Sequence, residues 1–155
     1  MNKKRSIRLD SEDEFKFDTV QAVLDFYRIG FEKRIEISKK LISKRQLVQF
    51  KKVSGIDYDC LANIIGITVR MIHKMKDENL FSRRISDNFA SLVQLYSFGY
   101  YEFENPVLFN KWMKIGSPEL EYISPLSNCD TIVGREEVRE NIIQLRREQK
   151  NKSIS

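Results

Sequence analysis

The run from Tyr58 to Met75 constrains the fold more than any other part of this chain. Two short helices packed through a tight turn need a small residue where the second crosses the first. They also need a glycine in the turn, where a left-handed backbone strains other residues, and apolar residues on the facing sides. Ala62, Gly66 and the set Leu61, Ile65, Ile67, Ile72 and Met75 meet those demands in order. A plain αα-hairpin would meet them too. The outer side of the second helix separates the two readings: with Ile72 and Met75 turned inward, Thr68, Val69, Arg70, His73 and Lys74 are left facing outward. In a helix-turn-helix, the second helix enters the major groove and offers its N-terminal residues to base edges. Arg70 suits a bidentate bond to guanine and the Thr68 hydroxyl a base or phosphate, while Lys74, Lys76, Arg83 and Arg84 suit phosphates. His73 is the only histidine, so it can build neither a histidine metal cluster nor a two-histidine relay.

Helical periodicity extends on both sides of this run. Val20, Val23, Leu24 and Tyr27 recur at helical spacing from a cap at Asp18 until Gly30 interrupts. Residues 32–53 carry Ile35, Ile37, Leu41, Ile42, Leu47, Phe50 and Val53, which suits one long helix or two joined near Ser43. The lysines and arginines between them, Lys51 and Lys52 included, suit a solvated face, with some free to follow a phosphate backbone. Helices are also expected over Asp57–Ile65, Thr68–Asp77, Ser86–Tyr101, Asn105–Lys114 and about Arg135–Arg147. With 6 Gly and 3 Pro in 155 residues, the chain is poor in the turn signals that an all-β sandwich needs every roughly 8 to 12 residues. The fold class expected is therefore all-α.

The charges of residues 1–16 cannot repay the entropy of ordering, which predicts a mobile arm. A helical DNA-binding domain is expected over 17–104, with the helix-turn-helix at 58–77. A small helical domain follows over 105–147, and a disordered polar tail over 148–155. The formal net charge of +5 suits a polyanionic partner. Cys60 and Cys129 lack metal spacing and read as buried reduced thiols. The basic N-terminus is followed by Asp10–Glu14 rather than by the apolar run of a signal peptide. No stretch approaches the ~20 apolar residues of a membrane span, so a cytoplasmic protein is expected. No phosphate-cradling glycine loop, zinc spacing or nucleophile with an adjacent base is present, which argues against an enzyme. No cofactor or metal is expected.

From roughly Ile29 to Leu145, and most clearly from Ser54, the sequence resembles the Xre/MbcA/ParS family of antitoxins. The likeness begins with Leu61-Ala62 and Gly66-Ile67-Thr68 and continues through Leu80-Phe81-Ser82, Ser86-Asp87 and Leu92 to Phe103. Asn105-Pro106, Phe109 and Trp112-Met113 resemble the helix that opens the family's toxin-binding domain. Ser117-Pro118, Ser124-Pro125-Leu126, Asp130-Thr131, Gly134 and Val138 follow in the family's order. The chain departs from it in carrying Glu121-Tyr122-Ile123 where members have glycines, Met71 after Arg70, and no Gly beyond Gly134.

The resemblance implies a type II antitoxin that neutralises an NAD-depleting toxin of the RES fold by direct binding and represses its own operon. Its partners would be that toxin, double-stranded operator DNA and a second copy of itself, because dimers read two half-sites. The resemblance makes Phe109, Trp112, Pro125 and Leu126 the toxin-binding candidates, although the spacing of Phe109 and Trp112 on one helix face is more often that of a core than of an interface, and the Pro125-Leu126 turn reads as structural in the same way. Arg146 and Arg147 could enter a pocket built for dinucleotide phosphates, or could simply cap the last helix at its negative end. The alternative is a stand-alone helix-turn-helix regulator whose C-terminal unit only dimerises.

Overall fold

In the computed structural model, which describes residues 14–154, side-chain caps set most helix boundaries. Thr19, rather than Asp18, caps α1 (Val20–Arg28) by accepting from the Ala22 amide. Gly30 precedes α2 (Phe31–Lys39). The stretch 32–53 is two helices, because Ser43 and Gln46 form a reciprocal capping box that opens α3 (Lys44–Ser54). Asp57 caps α4 (Tyr58–Ile65), Thr68 caps α5 (Val69–Lys74) and Ser82 caps α6 (Arg83–Phe103). Asn105 caps α7 (Pro106–Ile115), whose proline fills the first helical position. Two short 3₁₀ turns, Pro118–Leu120 and Pro125–Asn128, lead into α8 (Ile132–Ile154). The fold is all-α, with no strand beyond an isolated bridge between Ser43 and Leu80 among the described residues.

Several boundaries differ from expectation, and α6 opens at Arg83, one turn before the expected Ser86, because Ser82 caps it. α5 stops at Lys74 rather than near Asp77, because the Lys76 amide donates to Asn79 Oδ1 and the Asn79 amide returns to Lys76 O, turning the chain out of the helix. α8 starts at Ile132 and runs through Ile154, so residues 148–154 are helical rather than a frayed tail. No glycine or proline follows Gly134, and Arg, Glu, Gln and Lys are good helix formers. Of the arm expected over 1–16, residues 1–13 lie outside the described residues, but 14–16 are anchored. Glu14 pairs with Arg45 at 3.4 Å, Phe15 O accepts from Gln46 Nε2 at 2.8 Å, and the Phe15 ring meets Phe17 and Phe26.

α6 is the central element and packs against α1, α3, α4, α7 and α8. Its buried side chains Phe89, Leu92, Val93, Tyr96 and Tyr100 belong to one apolar cluster that runs from Phe17 to Ile142. The boundary expected at Asn105 coincides with a tight turn, Glu104 having φ 55°, but the core continues across it. Edge-to-face rings connect Phe50 to Phe89 and Tyr96, and Tyr96 and Tyr100 to Phe109. Gly99 makes this seating possible: a Cβ there would lie 2.1 Å from two atoms of the Phe109 ring.

Candidate nucleic-acid interface

The geometry of α4 and α5 follows from a few local interactions. Asp57 Oδ1 accepts from the Cys60 amide at 2.8 Å and fixes the start of α4. Leu61, Ala62, Ile64 and Ile65 are buried. Gly66, at φ 84°, ends α4, and the amides of Gly66 and Ile67 both donate to Ala62 O. The Thr68 hydroxyl then accepts from the Met71 amide at 3.1 Å and opens α5. That bond uses Thr68 Oγ1 as an acceptor, and the Thr68 side chain is exposed.

On α5, Ile72 is fully buried and Val69 half-buried, whereas Arg70, Met71, His73 and Lys74 are exposed. Lys76 is exposed in the turn that follows. Arg70, Lys74 and Lys76 form no ion pair among the described residues. The Arg84 guanidinium sits beside the turn, its Nη1 3.0 Å from where a Cβ on Gly66 would fall.

Arg83 is a correction to the phosphate-facing set. Its guanidinium donates to the carbonyls of Ser38 and Lys39 and pairs with Asp87 at 3.6 Å, closing the C-terminal end of α2. Sequence spacing could not show this, because the acceptors lie on a different helix.

The structure also brings together residues that the sequence reading left apart. Lys51 of α3 lies 4.5 Å from the Tyr58 ring centre, and His73 meets the same ring edge-on at 5.2 Å. A cation from α3 therefore stands next to the outer side of α5. Lys44, from the same helix, is engaged otherwise: its Nζ donates to Met75 O at 2.8 Å and caps the C-terminal end of α5. Asp57, Asp59, Asp77 and Glu78, close to this surface in sequence, are exposed as well.

In the C-terminal third, Phe109, Trp112, Pro125 and Leu126 are all buried in the chain's own core. This corrects their assignment as direct partner contacts: Phe109 and Trp112 turn toward α6, where Phe103 lies against both rings. Arg146 pairs with Glu102 at 3.8 Å and Glu104 at 3.1 Å, while Arg147 is exposed. Surface apolar groups here are instead Val107, Leu108, Ile115, Tyr122, Ile123, Ile132 and Val133. A helical count from Phe109, Trp112 and Met113 leaves Val107, Leu108 and Ile115 off the inner face, and this signal was present in the sequence. Glu121 and Tyr122 take positive φ values of 53° and 56°, a strained arrangement for non-glycine residues, and the Tyr122 side chain is exposed.

Burial pushes the Cys129 thiol up to about 12, and burial followed by the Asp57 charge raises the Cys60 thiol. Both shifts run opposite to that of an activated nucleophile. Among the described residues no three His, Cys, Asp or Glu side chains are grouped as metal ligands, and no helix is long and apolar enough to cross a membrane. Fold and site define an all-helical protein in which two short helices, joined at the Gly66 turn, leave Arg70, His73 and Lys74 exposed. Comparison with protein-family models, with curated proteins and with solved structures finds no match to this chain.

Proposed function

We propose that the chain is a DNA-binding antitoxin of the cytoplasm, which reads its own operator through α4 and α5 and neutralises a RES-fold toxin through its C-terminal surface. The observation that carries the DNA half is the division of α5: Ile72 is fully buried, while Arg70, His73 and Lys74 stay exposed with Thr68 at the helix start. Thr68, Val69 and Arg70 lead the helix into the groove, Arg70 reads guanine, and Lys74, Lys76, Arg84 and Lys51 follow the phosphates. Two copies read the two half-sites of an operator.

The toxin half is supported by the ordered resemblance from Asn105-Pro106 to Val138. With Phe109, Trp112, Pro125 and Leu126 interior, the contact surface passes to Tyr122, Ile123, Ile115 and Arg147. One observation favours the stand-alone regulator instead. α7 and α8 complete the core of α6, so a structural task already accounts for much of their apolar content.

The test has two arms. Titration of the full-length protein with DNA from its own promoter should give saturable, sequence-dependent binding, and Arg70→Ala should weaken it by about 1–3 kcal/mol without loss of fold. Wild-type affinity in that variant removes Arg70 from the reading set. Co-expression with the untagged neighbouring gene product should retain a RES-fold protein on the tagged chain. Its failure to bind leaves the regulator.

A further inference from the structure

Arg135, in the first turns of α8, is 5% exposed, and no carboxylate of the described residues lies within ion-pair distance. A buried guanidinium without a counter-ion is costly, and its place near a helix N-terminus opposes the helix dipole. Its charge is instead met by three oxygens on two neighbouring elements. Nε donates to Ser91 Oγ at 3.1 Å, Nη1 to Cys129 O at 2.6 Å, and Nη2 to Asn88 Oδ1 at 3.3 Å.

Asn88 does not end the chain of bonds. Its Nδ2 donates to Ile65 O at 3.4 Å. Ile65 is the last residue of α4, so this carbonyl has no partner within its own helix and stands where the turn into α5 begins. One helical turn earlier on α6, Arg84 lies against Gly66. Successive turns of α6 thus hold both residues at the α4–α5 junction, and Arg135 fixes the amide plane of the second. A planar fork with five donors suits this task, because it can orient Asn88 while it anchors α8 to Cys129 O.

We propose that Arg135 and Asn88 are positioning residues for α5: through the bonds Arg135–Asn88–Ile65 O, the C-terminal helix sets the angle at which the helix-turn-helix presents its outer face. The proposal rests on the reading of α5 as a DNA-contacting helix. It makes operator discrimination depend on a residue of α8 that need not touch DNA.

The discriminating variant is Asn88→Asp in the full-length chain. A carboxylate keeps the acceptor for Arg135, now as an ion pair, so α8 remains docked. It has no N–H for Ile65 O and sets negative charge against that carbonyl, which releases the α4–α5 junction alone. Hydrogen exchange should then quicken across residues 66–75 by roughly fivefold to tenfold, the equivalent of one lost hydrogen bond. Exchange across residues 132–145 should stay at the wild-type rate. The ratio of operator affinity to affinity for unrelated DNA should fall by a similar factor, with non-specific binding unchanged. Arg135→Met, which fills similar volume and removes all three bonds, should quicken both segments.

Wild-type exchange over 66–75 in Asn88→Asp overturns the proposal. A uniform rise over the whole chain does so as well, since it marks general destabilisation. A local rise in a protein whose wild type fails to discriminate operator from unrelated DNA supports the clamp on α5 and overturns the DNA reading instead.

Discussion

Gly99→Ala tests whether the C-terminal third shares the core of the DNA-binding helices. In mid-helix this change should by itself stabilise by about 1 kcal/mol, since alanine is the better helix former. Here the added Cβ would lie 2.1 Å from Cε2 and Cζ of Phe109, against an ordinary carbon contact of about 3.5 Å, so the ring must retreat by roughly 1.4 Å. It has nowhere to go. Phe109 is fully buried, with ring centres of Phe103, Tyr96 and Tyr100 at 5.1, 5.2 and 5.6 Å.

Overpacking of this kind costs about 1–3 kcal/mol, and this contact falls at the upper end, so the net loss should be about 1–2 kcal/mol. Phe109→Ala should cost about 3–5 kcal/mol through the cavity it leaves. In the double variant the new methyl enters vacated space and the helical gain returns, giving a coupling of about 2–3 kcal/mol. Urea unfolding measures each stability, with far-UV circular dichroism following all helices and the fluorescence of Trp112, the single tryptophan, following α7. A Gly99→Ala protein as stable as its parent would refute the seating of Phe109 on α6. Separate transitions by the two probes would refute the shared core.

Two further outcomes follow from buried groups. The Tyr96 hydroxyl is buried without a hydrogen-bond partner, and burial raises its ionisation well above the usual tyrosine range. Tyr96→Phe should leave stability unchanged or raise it by up to about 1 kcal/mol, and a clear loss in urea melts would show that the hydroxyl has a partner. Cys60 should react with a maleimide in the native protein while Cys129 reacts only after unfolding, and equal native rates would contradict the burial of Cys129. The folded Cys129 thiol keeps its proton to a higher pH than the unfolded one. Its contribution to stability is therefore complete below about 9 and lost as pH rises to about 12, which urea midpoints across that window will read.

What could be read from the sequence was whatever depends on neighbours along the chain. The helical period, the Ser43 break, the start of α4 near Asp57, the Gly66 turn and the outward set on α5 depend on groups close to one another along the chain. All are present in the structure except that Val69, expected on the outer side of α5, is half-buried against the core. Phe15 was missed because the charges around it dominated the reading of the arm, while its value comes from rings that only the fold brings near.

Which apolar face becomes interior and which cation is already engaged was decided by tertiary structure alone. Phe109 and Trp112 have the same spacing whether they meet a partner or α6, and only the absent Cβ of Gly99 and the rings of Tyr96 and Tyr100 turn them inward. Arg83 and Arg84 are adjacent in sequence, yet one closes α2 and the other lies against Gly66. Arg135 shows the same limit from the other side, since its three acceptors lie on α6 and at the end of a 3₁₀ turn. Burial and hydrogen-bond partnership are properties of a whole packed chain, and local periodicity carries no information about which distant surface will arrive.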